Sequence, residues 1–104
     1  MAGLHSLWVT SAKLVTDEGL AHLRSLSLKH LDLSHARHAT DAGMAHVASI
    51  GTLETLNLWY CRKLTSTSIA DLKRLRNLKK ITLVGSQIDR QAFQSAFPNC
   101  EIAQ

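Results

Sequence analysis

His30, Asp32 and Ser34 alternate along one short segment and together hold the residue types of a hydrolase triad. On an extended strand such i, i+2 residues share a face, with Cα atoms about 6.5 Å apart. That row is too flat for a serine to hand its proton to a histidine that an aspartate orients, and no G-x-S-x-G elbow accompanies it. Catalysis is therefore set aside, and the chain is read as non-enzymatic. Of the six histidines, His22 and His46 fall at equivalent places in two similar phrases. Two stacked imidazoles do not supply the four ligands of a structural metal site. Cys61 and Cys100 lack C-x-x-C spacing, so they read as reduced, mostly buried thiols of an intracellular protein and not as zinc ligands. Gly19 and Gly43 recur within T-D-x-G and are assigned to close packing at a helix start, not to a phosphate loop. No metal or cofactor is expected.

The elements that would position these side chains come from a repeat. Leu4-His5-Ser6-Leu7-Trp8-Val9, Leu28-Lys29-His30-Leu31-Asp32-Leu33, Leu53-Glu54-Thr55-Leu56-Asn57-Leu58 and Leu78-Lys79-Lys80-Ile81-Thr82-Leu83 share one pattern. The lead leucines at 4, 28, 53 and 78 are 24, 25 and 25 residues apart. Leu7/Val9, Leu31/Leu33, Leu56/Leu58 and Ile81/Leu83 alternate with polar residues, as a strand with one buried face requires. Shortly after each comes a small residue, Ala12, Ala36, Cys61 or Ser86, suited to a narrow inward site where the backbone bends. The return segments are also alike. Val15-Thr16-Asp17-Glu18-Gly19-Leu20 matches Ala39-Thr40-Asp41-Ala42-Gly43-Met44, with variants from Leu64 and Ile88. Thr or Asp there should cap a short helix. Leu20/Leu23, Met44/Val47 and Ile69/Leu72 then face the core at i, i+3 spacing. Pro98 should stop the last helix.

An L-x-x-L-x-L phrase at this period resembles a leucine-rich repeat. The third repeat, Leu53-x-x-Leu56-x-Leu58-x-x-Cys61-x-x-Leu64, resembles the cysteine-containing subtype. The T-D-x-G-L-A-H-L phrase is similar to repeats of bacterial intracellular proteins. The resemblance spans residues 4–102 and implies an α/β solenoid of about four strand–helix repeats, at 4–27, 28–52, 53–77 and 78–102, with a parallel sheet on its concave face. Residues 1–104 then form a single domain.

Outward strand positions would line that face: Ser6/Trp8/Thr10, His30/Asp32/Ser34, Thr55/Asn57/Trp59 and Lys80/Thr82/Val84, followed by Ser11, His35, Tyr60 and Gly85. Three of the five Phe, Trp and Tyr residues, Trp8, Trp59 and Tyr60, fall there. Trp and Tyr dominate interface hot spots. The expected function is therefore protein–protein binding through the concave face. Trp8, Asp32, Asn57, Trp59 and Tyr60 would be central, with His30, His35 and Lys80 at the rim. Lys73, Arg74, Arg76, Lys79 and Lys80 form a basic run, and the net charge is +4. A turn would spread that run over several faces, and no nucleic-acid motif accompanies it, so nucleic acid is set aside as the partner. No apolar stretch reaches the length of a membrane span. Residues 1–5 show no secretory signal, which points to an intracellular, most simply cytoplasmic, location. Leu4 opens a core strand without a polar cap, so an open apolar end around Leu4, Leu7 and Leu20 is expected, available for self-association or docking. Two alternatives follow. One is a structural or assembly subunit of a larger complex, with the first repeat docked on a neighbour; small mitochondrial proteins similar to ATP-synthase coupling factor B are built from a few such repeats, and the basic balance would suit that compartment. The other is a substrate adaptor of a ubiquitin ligase.

Overall fold

The computed structural model describes residues 15–103 and the backbone of 6–8. Strands alternate with helices in the order β1 (Ser6–Trp8), α1 (Asp17–Ala21), β2 (His30–Asp32), α2 (Asp41–Val47), β3 (Thr55–Asn57), α3 (Ser68–Leu72), β4 (Lys80–Thr82), α4 (Arg90–Ala96) and β5 (Glu101–Ala103). The strands form one parallel sheet in chain order, so each strand lies beside the next in sequence. Leu7, Leu31, Leu56, Ile81 and Ile102 align across it. The period-two pattern explains that row: Leu31, Leu56, Ile81 and Ile102 are buried while their neighbours on each strand are not. Burying each such side chain contributes about 1.5–3 kcal/mol. The helices close the other side of the core with Leu20, Met44, Val47, Leu72 and Phe93, all fully buried. Leu23 and Ile69 pack against it half-buried.

Three expectations change. The tail adds a fifth strand, not a mere apolar contact, because Glu101–Ala103 pairs with β4 along its full length. Leu20 is not on an open end; it is fully buried. Leu4 and Ala12 lie outside the described residues, as does the side chain of Leu7. The cap of α3 also differs. That helix starts at Ser68, three residues beyond Thr65, and Thr67 at its N-cap makes no side-chain capping bond. Thr16, Thr40 and Asp89 do cap, accepting from the backbone N–H of Gly19 at 3.2 Å, Ala42 at 3.3 Å and Ala92 at 3.0 Å. The last helix ends at Ala96, two residues before Pro98, as that proline requires.

A set of bonds between successive strand–helix units was not foreseen. The Asp17 carboxylate accepts from Thr40 N–H at 2.8 Å and Thr40 Oγ1 at 2.5 Å. Asp41 repeats this with Thr65 N–H at 2.9 Å and Thr65 Oγ1 at 2.5 Å, and also accepts from Ser68 Oγ. Each aspartate therefore ties its helix to the start of the next unit. Gly43 explains one recurring glycine: a Cβ there would overlap the Asp17 carboxylate and lie 2.8 Å from Leu20 Cδ1. In the next unit Ser68 takes the place of that glycine and donates to Asp41 instead. Gly19 meets no such restriction, its nearest neighbour being Thr16 Oγ1 at 3.7 Å.

Candidate binding surface

His30, Thr55 and Lys80 align across β2, β3 and β4, and so do Asp32, Asn57 and Thr82. These are the outward positions expected from the repeat. Trp8 lies at the register position of Asp32; its side chain lies outside the described residues, as do Thr10 and Ser11. His30, Thr55, Asn57, Lys80 and Thr82 line a hollow of about 340 Å³ on this face.

The polar groups there are partly engaged. His30 Nδ1 lies 2.7 Å from Thr55 Oγ1. Asp32 Oδ1 accepts from Ser34 N–H at 2.9 Å and Ser34 Oγ at 2.6 Å. Asn57 Oδ1 accepts from Trp59 N–H at 2.9 Å. Asp32 and Asn57 thus do the same local work in consecutive units, closing the turn that ends the strand. Of these two side chains, Asp32 Oδ2 and Asn57 Nδ2 have no hydrogen-bond partner among the described residues. In these bonds Ser34 meets Asp32 directly, and His30 meets Thr55 on the next strand.

Trp59 and Tyr60 do not sit at the centre of the strand face as expected, because β3 ends at Asn57. They occupy the turn beyond it. His35, Tyr60 and Gly85 are equivalent turn residues and share positive φ of 65°, 56° and 85°. The ladder runs on through these turns, with His35 N–H donating to Trp59 O at 2.8 Å and Tyr60 N–H to Val84 O at 2.7 Å. The left-handed backbone at Tyr60 turns its ring to the side of Trp59. The two stack with centroids 4.5 Å apart and planes 7° from parallel. His35 meets both rings edgewise, at 4.9 and 5.5 Å. Trp59 and Val84, at 39% and 38% exposure, are the large exposed hydrophobic residues among those described. They hold the same position in consecutive turns. No protein-family model matches the chain, and no curated protein matches it.

Gly85 is needed where it stands. A Cβ on it would fall on the Tyr60 ring and lie 2.8 Å from Tyr60 Cα, and its φ belongs to the region that favours glycine. Gly85→Ala is expected to destabilise the fold by about 2 kcal/mol and to separate the stacked rings. Urea unfolding and near-ultraviolet circular dichroism check this; an unchanged spectrum and midpoint would refute it.

The basic run divides as expected. Lys80 reaches the strand face, Lys79 pairs with Glu54 at 3.7 Å, and Arg74 Nη2 donates to Ser49 Oγ at 3.3 Å. Lys73 and Arg76 instead flank a hollow beside Phe97 and Cys100. Among the described residues no three His, Cys, Asp or Glu side chains gather as a metal site, and no helix is long and apolar enough to cross a membrane.

Both cysteines are free and buried. Cys61 fills the inward site expected for a small residue, fully buried like Ala36, and its thiol donates to Leu33 O at 3.1 Å. Burial, with a smaller push from the Asp32 charge, raises it to about 11, against a weaker opposing backbone bond from Ala36. The native thiol should therefore react with a disulfide reagent at pH 8 roughly a hundredfold more slowly than in urea. Equal rates in the two conditions would contradict this.

Proposed function

We propose that the chain is a non-catalytic leucine-rich-repeat protein, a short solenoid that binds another protein through its strand face and the turns adjoining it. The observation that carries this is the placing of Trp59 and Val84. The exposed large apolar side chains stand side by side in successive turns, at one end of a polar sheet face. Scattered exposed apolar residues need no explanation, but an adjoining pair beside stacked rings has the composition of an interface centre. Trp59 and Tyr60 would supply buried area, and Asp32 Oδ2 and Asn57 Nδ2 directional hydrogen bonds. His30, His35 and Lys80 would surround them.

The solenoid reading is supported by the matching registers of successive strands and by the Asp17 and Asp41 links, which join each unit only to its neighbour. The test is capture from native lysate, with the wild type beside Trp59→Ala/Tyr60→Ala. A protein held by the wild type and lost by the double variant supports the reading. Identical capture by both removes it.

A further inference from the structure

The turns that follow the strands differ in charge from the rest of the molecule. Residues 33–40, 58–67 and 83–88 contain no Asp or Glu, yet they carry Arg37, His38, Arg62 and Lys63, all exposed. Arg37 and Arg62 are equivalent, each two residues beyond the left-handed residues His35 and Tyr60. The repeat therefore places them at the same point of adjoining turns. The Arg62 guanidinium lies 5.8 Å from the Tyr60 ring centroid, and Gln87 Nε2 donates to Arg62 O at 2.7 Å, which steadies that turn. Among the described residues the ion pair is Lys79–Glu54, which precedes β3 and β4 and so lies at the opposite end of the strands. The aspartates nearest the turns form no ion pair with these cations among the described residues; they accept hydrogen bonds instead, Asp17 from Thr40, Asp32 from Ser34, Asp41 from Thr65 and Ser68, and Asp89 from the start of α4.

We propose that this end of the sheet takes an acidic segment of a partner protein, with carboxylates at Arg37, Arg62 and Lys63 and a bulky apolar side chain between them against Trp59 and Val84. The inference rests on the binding-face reading above and supplies the chemistry of the partner. Charge complementarity carries it: exposed like charges gathered without a direct ion pair among the described residues repel one another, and an acidic segment relieves this while its apolar residue covers the exposed pair. A single-stranded nucleic acid would want successive open rings on which bases stack. Here one face of Trp59 is already against Tyr60, and its neighbour in the next turn is aliphatic Val84.

The test uses the full chain and short fluorescent peptides of glutamates flanking a Leu-Trp pair, with lysine-flanked and Gly-Gly-centred peptides and an oligouridylate of matching length as comparisons. The acidic peptide should bind the wild type most tightly and weaken as salt rises. Arg37→Glu/Arg62→Glu should weaken it at least about tenfold, and Arg76→Glu/Lys79→Glu, at the other end, less than about twofold. Arg37→Gln/Arg62→Gln gives the milder loss and guards against a folding defect. No binding of the acidic peptide, equal losses from both charge reversals, or tighter binding of the oligouridylate each overturns the proposal. If the acidic peptide fails while the ring variant still loses its native partner, the binding face stands and only its acidic chemistry falls. If the peptide binds at Arg37 and Arg62 while the ring variant keeps its partner, the reverse holds.

Discussion

Asp41→Ala is expected to cost the fold about 3 kcal/mol, because one carboxylate accepts three hydrogen bonds from the next unit. Without it, the fully buried Ser68 and the Thr65 N–H lose their acceptor. A bond to an ionised group is worth about 1.5–3 kcal/mol, and the three here share one half-buried acceptor, so their values do not add. Asp41→Asn should cost only about 1 kcal/mol. Its remaining oxygen can accept from Thr65 N–H and Ser68, while its amide donates to Thr65 Oγ1. Burial opposes ionisation of Asp41, but the donors Ser68 and Thr65 outweigh it and hold the carboxyl below its ordinary 3.8. Well above 3.8 both folded and unfolded states are ionised and the full stabilisation is present. As pH falls below that value the unfolded state takes up the proton first, and the stabilisation drains away until the folded carboxyl is protonated too. Urea unfolding of the wild type and both variants near neutrality and below pH 4 measures this. The gap between wild type and Asp41→Ala should narrow on acidification. A neutral-pH difference below about 0.5 kcal/mol would show that the inter-unit bond contributes little.

Trp59→Ala/Tyr60→Ala should weaken partner binding by at least about a hundredfold while leaving the fold intact. Two aromatic anchors at the centre of an interface are worth about 2 kcal/mol each when truncated, and each 1.4 kcal/mol is tenfold in affinity. The cost to stability should be no more than about 1–2 kcal/mol, since the change loses one ring stack and some half-exposed area. The rings lie outside the buried core row of Leu31, Leu56 and Ile81. Titrating the captured partner against both proteins, with unfolding measured beside it, separates the two effects. Equal affinities would make Trp59 and Tyr60 a shield over the turn and nothing more.

The strand positions were legible because alternation is a period of two, and Leu31, Leu56 and Ile81 satisfy it with the same offset in every unit. The helix cores were legible from i, i+3 pairs such as Met44/Val47. The Asp17 and Asp41 links were not. An aspartate directly after a capping threonine reads as part of its own helix start, and nothing local says that its carboxylate points to the next unit. Strand β5 was not legible because only one of its three residues, Ile102, is buried, and a single apolar residue carries no period. The aromatic stack was half-legible. Trp59 and Tyr60 fall at the right place, but neighbouring residues on a strand point to opposite faces. The positive φ at Tyr60 brings the rings together, and of the three turn residues only Gly85 signals that conformation by its type.

Photo-crosslinking distinguishes the strand face from the helix side as the surface that meets the partner. A photoreactive phenylalanine would replace Asn57 on the strand face in one protein and exposed Ala70 on α3 in another, each irradiated in native lysate. One discrete cross-linked partner is expected from position 57, lost when Trp59→Ala/Tyr60→Ala is added, and none from position 70. The same partner captured from position 70 alone would place binding on the helix side and rule out the strand face.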